Sequence, residues 1–251
     1  MPEMDNEHLD FITVNTTLPT LPLPPLATRK PVLTERLILK PVSQDDLSAL
    51  HAMRSQPEVM RWAVAGRPDA DLDETQAWLD HNLPPNDAHN YNFTICLRST
   101  GEFVGLGGVK RIGPSSPGLP GGELGWPEIG YLFCKEAWGK GYATEFLRGF
   151  VGAWWSLPRS AAPALRVEKS VVGEETRLSQ EQPGSESESE VNGVAVVAVG
   201  EILTAVTELD NLPSQKVLDK TGFRKLKVWT ERDEKTQQTT TLVGYGIEAP
   251  K

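Results

Sequence analysis

The sequence predicts a mixed α/β (α+β) fold, a sheet covered by helices. Three observations carry this. Short apolar runs with period-two alternation recur along the chain. Between them lie stretches with the helical spacing of apolar residues. Glycine and proline clusters separate the two kinds of segment, which are mixed in order rather than sorted into blocks.

Residues 1–30 are polar and then proline-rich (Leu18-Pro-Thr-Leu-Pro-Leu-Pro-Pro25). Such composition favours extended or polyproline backbone and packs no core by itself, so it reads as a flexible arm. The first strand is expected over Leu33 to Val42, where Leu37 and Leu39 face one way and Arg36, Ile38 and Lys40 the other. Ser43-Gln-Asp-Asp46 has the makeup of a helix start, with Ser43 as N-cap and Leu47, Leu50 and Ala52-Met53 as the apolar stripe. A second helix is expected from about Asp71 to Asn82, stopped by Pro84-Pro85. Tyr91 to Arg98 and Phe103 to Ile112 read as a hairpin around Ser99-Thr-Gly-Glu102. Gly105, Gly107 and Gly108 weaken its return strand unless something packs closely there.

A glycine- and proline-rich loop spans 113–125, and Glu128 to Cys134 is a short apolar strand. It runs through Lys135-Glu-Ala-Trp-Gly-Lys-Gly141 into an amphipathic helix from Tyr142 to about Trp155. The pattern then breaks. Residues 157–192 include the acidic repeat Ser185-Glu-Ser-Glu-Ser-Glu190 and read as a low-complexity insertion. Residues 194–199 are apolar, Glu201 to Thr207 reads as a strand, and Asn211 to Lys220 as a short helix stopped by Gly222. Phe223 to Thr230 and Thr239 to Ile247 make a last hairpin. The order is β-α-α-β-β-β-α-β-α-β-β, and residues 31–251 read as one domain behind the arm.

Composition excludes several classes. The chain has 251 residues and a formal net charge of -9, with no basic patch, so a nucleic-acid binder is not expected. The acidity suits a cationic substrate and equally suits plain solubility. Cys96 and Cys134 lie in apolar runs and read as buried thiols of a reducing compartment. With four histidines and no ligand spacing, no metal site is expected. The acidic first residues do not resemble a signal peptide or presequence, and no apolar run is long enough to cross a bilayer. The expected location is cytoplasmic, with a nucleocytoplasmic distribution left open, and no membrane partner is expected.

The sharpest local signal is strand, Trp138-Gly139-Lys140-Gly141-Tyr142-Ala143, helix. Glycines allow a tight bend and close approach of a ligand, and a helix start offers unpaired N–H groups to an anion. The order of Lys140, Gly141 and Tyr142 does not fit a Walker A loop. Thr144 stands where a dinucleotide fingerprint needs its third glycine. A glycine-rich turn without a ligand is the competing reading of this segment alone.

Taken together with Leu33-Thr-Glu-Arg-Leu-Ile-Leu39, Glu128-Ile-Gly-Tyr131, Trp138-Gly-Lys-Gly-Tyr-Ala-Thr-Glu145 and Asn211-x-x-Ser214 ending in Gly222-Phe223, the chain resembles the GNAT superfamily. Within it, the chain resembles the branch of ribosomal-protein alanine acetyltransferases (RimJ/RimL-like). The resemblance covers roughly residues 32–156 and 194–248. It implies a mostly antiparallel twisted central sheet, splayed between its fourth and fifth strands and flanked by helices. It implies acetyl-coenzyme A (acetyl-CoA) as cosubstrate, a primary amine as acceptor, and direct attack of that amine on the thioester.

Residue by residue, the resemblance assigns the CoA pyrophosphate to the amides of Gly139, Lys140, Gly141, Tyr142 and Ala143, with Thr144 close by. It lays the pantetheine arm along the strand at Leu132, Phe133 and Cys134, with Asn211 near the pantetheine or thioester. Glu136 departs from the family, which usually carries Gln or Arg three residues before the first loop glycine. A carboxylate there could weaken diphosphate binding unless the backbone carries it.

An alkylammonium, with a pKa of roughly 10.4, must lose a proton before attack. A carboxylate can accept it, directly or through water. Glu128 is the candidate base, with Glu123 and Asp210 as weaker substitutes; a solvated strand-end glutamate is the alternative. The tyrosine acid that many members place seven residues after the asparagine is replaced by Leu218. Ser214 is the remaining candidate proton donor, or equally a contact that shapes the asparagine turn. Trp62, Trp78 and Trp126 read as core or pocket wall. Asp69, Asp71 and Asp73 read as a solvated helix start or a cation attractor. The competing function is a non-catalytic CoA-binding or interaction module. Acceptor identity and oligomeric state, a homodimer included, stay open.

Overall fold

The structure is a computed structural model in which residues 9–110, 124–172, 189–191, 194–232 and 239–250 are described. In chain order the strands and helices are β1 (Phe11–Pro19), β2 (Val32–Leu33), β3 (Leu37–Pro41), α1 (Leu47–Arg54), α2 (Pro57–Met60), α3 (Leu72–Asp80), β4 (Tyr91–Leu97), β5 (Phe103–Lys110), β6 (Glu128–Phe133) and α4 (Tyr142–Trp155). They continue with β7 (Arg159–Glu168), β8 (Ser189–Val191), β9 (Val194–Ala198), β10 (Ile202–Glu208), α5 (Leu212–Lys220), β11 (Arg224–Arg232) and β12 (Thr239–Glu248). The class is the mixed α/β one, with mostly antiparallel pairing. The chain divides into two compact units, Thr20–Ile112 with Ile129–Pro158, and Met1–Pro19 with Gly113–Glu128 and Arg159–Lys251.

In the first unit the strands run in the order β2-β3-β4-β5-β6. β3 and β4 pair antiparallel with Leu37 opposite Leu97, and β4 and β5 with Tyr91 opposite Val109. α4 buries one face, because Phe146, Leu147, Phe150 and Trp154 recur at helical spacing and are all fully buried. Each such side chain contributes about 1.5–3 kcal/mol of hydrophobic stabilisation. Phe146 explains the thin glycine strand. A Cβ at Gly107 would lie 2.5 Å from the Phe146 ring, so the ring occupies the space that a side chain on β5 would need. On another part of this unit, Leu50, Met53, Val59, Leu79 and Leu106 bring α1, α2 and α3 onto the sheet.

In the second unit β12 lies between β11 and β10, antiparallel to both. β10 meets the first residue of β6 in parallel, at one pair, Thr204 opposite Glu128. A second sheet runs β7-β1-β9-β8. Here the arm expected over residues 1–30 becomes, over Phe11–Pro19, a strand paired with β7 from Phe11 opposite Glu168 to Pro19 opposite Arg159. The reason lies in Phe11-Ile-Thr-Val14 and Leu18, which carry enough apolar surface for one face: Val14 is fully buried and Leu18 nearly so. The insertion expected at 157–192 likewise contains β7 and β8, while residues 173–188 and 192–193 of it lie outside the described residues. Val14, Trp126, Val167, Ile202 and Trp229 share the core of this unit. Beneath it Lys227 and Glu168, both buried, form an ion pair at 2.8 Å. The Lys227 ammonium and Ser170 hold the Glu168 carboxyl below the usual range against burial, which pushes it up more strongly than any single one of these partners pulls it down.

Candidate active site

The phosphate-loop candidate belongs to the first unit. After β6, a single turn of 3-10 helix (Lys135–Ala137) leads to Trp138, and Gly139 and Gly141 follow with φ of 74° and 81°. Both are left-handed, a conformation that costs an L-residue about 1–2 kcal/mol. A Cβ at Gly139 would touch nothing, so backbone conformation rather than crowding demands glycine there. Gly141 is the N-cap of α4, and the first helical bond runs from the Glu145 amide to the Gly141 carbonyl. The amides of Tyr142, Ala143 and Thr144 therefore precede the first helical donor, Glu145, and point out of the helix start. These are donors arranged for an anion such as a diphosphate.

Thr34 and Arg36 hold the loop. Glu145 Oε1 accepts from the Thr34 hydroxyl at 2.6 Å and from the Arg36 amide at 2.6 Å, and Oε2 accepts from Arg36 Nε at 2.7 Å. Arg36 Nη1 donates to the Lys140 carbonyl at 3.0 Å, and the guanidinium lies 4.8 Å from the Tyr142 ring centroid. The Thr-x-Arg of the first strand motif thus fastens the glycine bend to the helix it opens. Burial pushes the Glu145 carboxyl up, but Thr34 and the two Arg36 donors together outweigh it and hold it below the usual range. A groove of about 470 Å³ beside the bend is lined by Thr34, Arg36, Thr144 and Arg148 among others.

The strand residues assigned to a thioester tail divide by edge. Cys134 donates its amide to Val104 of β5 at 2.9 Å, and its carbonyl accepts from Ala137 at 2.8 Å. Its backbone is committed on both sides, which removes it from the residues able to receive a tail. Backbone groups alternate edges along a strand, so Leu132 shares the β5 side with Cys134, and Phe133 and Tyr131 present theirs to the opposite edge. The Phe133 carbonyl already accepts from the Trp138 indole at 2.8 Å. Tyr131, not singled out from the sequence, is the residue that alternation assigns to that edge. The Cys134 thiol is pushed up to about 11 by burial and, less, by Glu136. Glu136 itself is engaged: its Oε2 accepts from Gln56 Nε2 at 3.1 Å.

The remaining candidates lie in the second unit. Glu128 opens β6, half-buried beside the buried Trp126 and Ile129. Pro127, just ahead of it, accepts at its carbonyl from the Thr204 amide at 2.9 Å. Asn211 is the N-cap of α5, and its Oδ1 accepts from the Ser214 amide at 3.2 Å. The asparagine–serine pair of the motif is therefore a capping pair joined through the serine backbone, with Asn211 Nδ2 as the end able to donate elsewhere. Leu218 is buried and packs the helix to its sheet. Gln215, missed in the sequence, braces the same turn: Nε2 donates to the Leu209 carbonyl at 2.7 Å and Oε1 accepts from the buried Tyr245 hydroxyl at 3.3 Å. No local pattern announces a link between residues 30 positions apart. Asp210 lies in the turn before Asn211, and Glu123 lies outside the described residues.

Two of the three acidic residues, Asp69 and Asp71, are structural, and Asp73 lies in the first turn of α3. Asp69 is buried, takes both Arg54 Nε and Nη2 at 2.6 and 2.9 Å, and accepts from Thr75 Oγ1 at 2.7 Å. Asp71 caps α3 by accepting from the Glu74 amide at 2.9 Å. Trp126 is core, while Trp78 and Trp62 lie beneath the guanidinium groups of Arg54 and Arg61. Among the described residues no three His, Cys, Asp or Glu side chains group as metal ligands, and no helix is long and apolar enough to cross a membrane.

Comparison with known proteins gives consistent results. Residues 36–224 match the family described as Acetyltransferase (GNAT) domain. An uncharacterized N-acetyltransferase p20 of Bacillus licheniformis is 28% identical over 120 residues, 47% of this chain and 62% of that protein. The chain thus spans under two thirds of that curated relative. Among solved structures, the RimL ribosomal L7/L12 α-N-protein acetyltransferase bound to coenzyme A is similar at a TM-score of 0.59 and 12% identity, over 87% of this chain and 98% of that one. A spermidine N-acetyltransferase of Vibrio cholerae, bound to CoA and spermine, is similar at 0.55 and 13%, over 85% and 96%. At these identities the structural likeness shows a shared fold.

Proposed function

The chain belongs to the GNAT acetyltransferase family, and from that premise we propose that it transfers the acetyl group of acetyl-CoA to a primary amine. The observation that carries this reading is the left-handed Gly139–Gly141 bend ahead of α4, with three helix-start amides preceding the first helical donor, Glu145. Those donors fit a diphosphate, and Gly141, having no side chain, does not cap them itself. The donor supplies an activated thioester.

The chain's own residues have these roles. Gly139, Lys140, Gly141, Tyr142, Ala143 and Thr144 bind the diphosphate, chiefly through backbone amides. Tyr131 and Phe133, rather than Leu132 and Cys134, offer the strand edge. Asn211 Nδ2 donates toward the pantetheine. Glu128 accepts the proton of the alkylammonium, which leaves a neutral amine able to attack. Ser214 is the proton donor to the departing thiolate. RimL, a protein N-terminal enzyme by description, and the spermidine enzyme bracket the acceptor class as peptide N-terminus or polyamine.

The test is mass spectrometry of an amine and peptide library incubated with acetyl-CoA, together with calorimetric titration of CoA. Acetylated amine with wild type, and at least a hundredfold slower turnover with Glu128→Gln, is expected from loss of a general base, worth about 10²–10⁴-fold. CoA binding with no amine turned over would instead assign a non-catalytic CoA-binding module. Absence of CoA binding would remove both readings.

A further inference from the structure

We propose that Gln56 is a positioning residue for the phosphate loop, pinning the Glu136 carboxylate and the Lys135 amide from across the chain so that the glycine bend can accept a diphosphate. This rests on the reading of the bend as the acetyl-CoA site.

Gln56 stands just ahead of α2 in extended backbone. Its side-chain amide makes two bonds to two consecutive residues of the turn that enters the bend. Oε1 accepts from the Lys135 amide at 2.9 Å, and Nε2 donates to Glu136 Oε2 at 3.1 Å. Lys135 in turn pairs through Nζ with Glu58 of α2. Three contacts therefore join residues 56–58 to residues 135–136. Lys135–Ala137 is a single turn of helix, and the Trp138 amide bonds back to Lys135. Where Lys135 goes, Trp138 and Gly139 follow.

The chemistry of the bridge is specific. One end must accept from an N–H, and the other must donate to a carboxylate. A primary amide on a two-carbon stem does both, and a carboxylate in its place cannot donate. Glu136 carries the charge that an incoming diphosphate would meet unfavourably. Bound to Gln56 Nε2, that carboxylate is engaged with a partner on the α2 side. Released, it is an anion on a short tether, three residues ahead of Gly139.

The test is a reciprocal exchange, read by CoA calorimetry, steady-state kinetics in acetyl-CoA and thermal unfolding. Gln56→Glu opposes two carboxylates and is expected to weaken CoA binding and raise KM for acetyl-CoA about tenfold, with kcat at saturation and melting temperature nearly unchanged. Gln56→Ala, which only removes the bridge, is expected to lose about threefold. Gln56→Glu combined with Glu136→Gln restores one acceptor and one donor in swapped positions, and is expected to return affinity to within about twofold of wild type. A swap no better than Gln56→Glu alone, or Gln56→Glu binding CoA like wild type, overturns the proposal while leaving the acetyl-transfer reading intact. Wild type that binds no CoA would fail that reading first and this one with it.

Discussion

Replacing Gly141 with alanine isolates the backbone term in the phosphate loop. The residue sits at φ 81° and ψ 4° at the N-cap of α4. An added Cβ would meet only Arg36 Nη2 at 3.5 Å, an ordinary contact, so no steric cost is involved. What remains is the left-handed penalty of about 1–2 kcal/mol. If the bend survives, the protein loses that much stability, about 2–8 °C in melting temperature at 2–4 °C per kcal/mol for a chain of this size. If instead the bend flips to escape the penalty, the binding-competent loop becomes a minor state and the apparent CoA affinity falls by up to the same free energy, about 5- to 30-fold. The two losses trade against each other, so their sum is the predicted quantity. Gly141→Asn should lose less than Gly141→Ala, because asparagine tolerates the left-handed region better. Gly152 is the control: it lies in the same helix with nothing within 4 Å, and alanine there should stabilise by about 0.5–1 kcal/mol without touching CoA affinity. Calorimetry and thermal unfolding on the four proteins decide the matter. Gly141→Ala with unchanged melting temperature and unchanged CoA affinity would refute the backbone account of this loop.

Arg54→Met would leave Asp69 buried without its guanidinium partner, and denaturant unfolding should show a loss of about 3–5 kcal/mol. Glu145→Gln tests the loop anchor through pH. The Glu145 carboxyl is held below its usual value of 4.5, so its stabilising contribution is complete above that pH and is lost as pH falls through the lowered value. The wild-type advantage in melting temperature over Glu145→Gln should therefore be constant above about pH 5.5 and shrink on further acidification; an advantage that grows in acid would contradict the sign. With its thiol raised to about 11, Cys134 should carry about a hundredfold less thiolate at pH 8 than a thiol at the ordinary 9.0, and thiol labelling of the native protein should be correspondingly slow.

Much of the scaffold was legible because its signals are local. The α4 helix runs over Tyr142–Trp155, as its apolar spacing predicts, and the bend before it is written in Gly139 and Gly141. The strands of the 91–110 hairpin agree to within a residue or two for the same reason. β1 was not legible as a strand. Its Val14 and Leu18 face a partner, β7, well over a hundred residues away, and β7 itself lies in a stretch whose small and polar residues alternate weakly. Nor was the state of the acidic groups. Asp69, Asp71 and Glu136 look alike as charges in sequence, yet one is a buried ion-pair partner, one a helix cap and one the acceptor of a glutamine amide.

By itself the sequence determined which segments are strand and helix around the glycine bend, and where that bend falls, since both follow from side-chain period and from glycine's access to positive φ. Only the tertiary structure decided who holds that bend in place. Thr34, Arg36, Gln56 and Glu58 reach it from 77 to 111 positions away. Hydrogen bonds and charges act over a few ångströms of space, and distance along the chain carries no record of them.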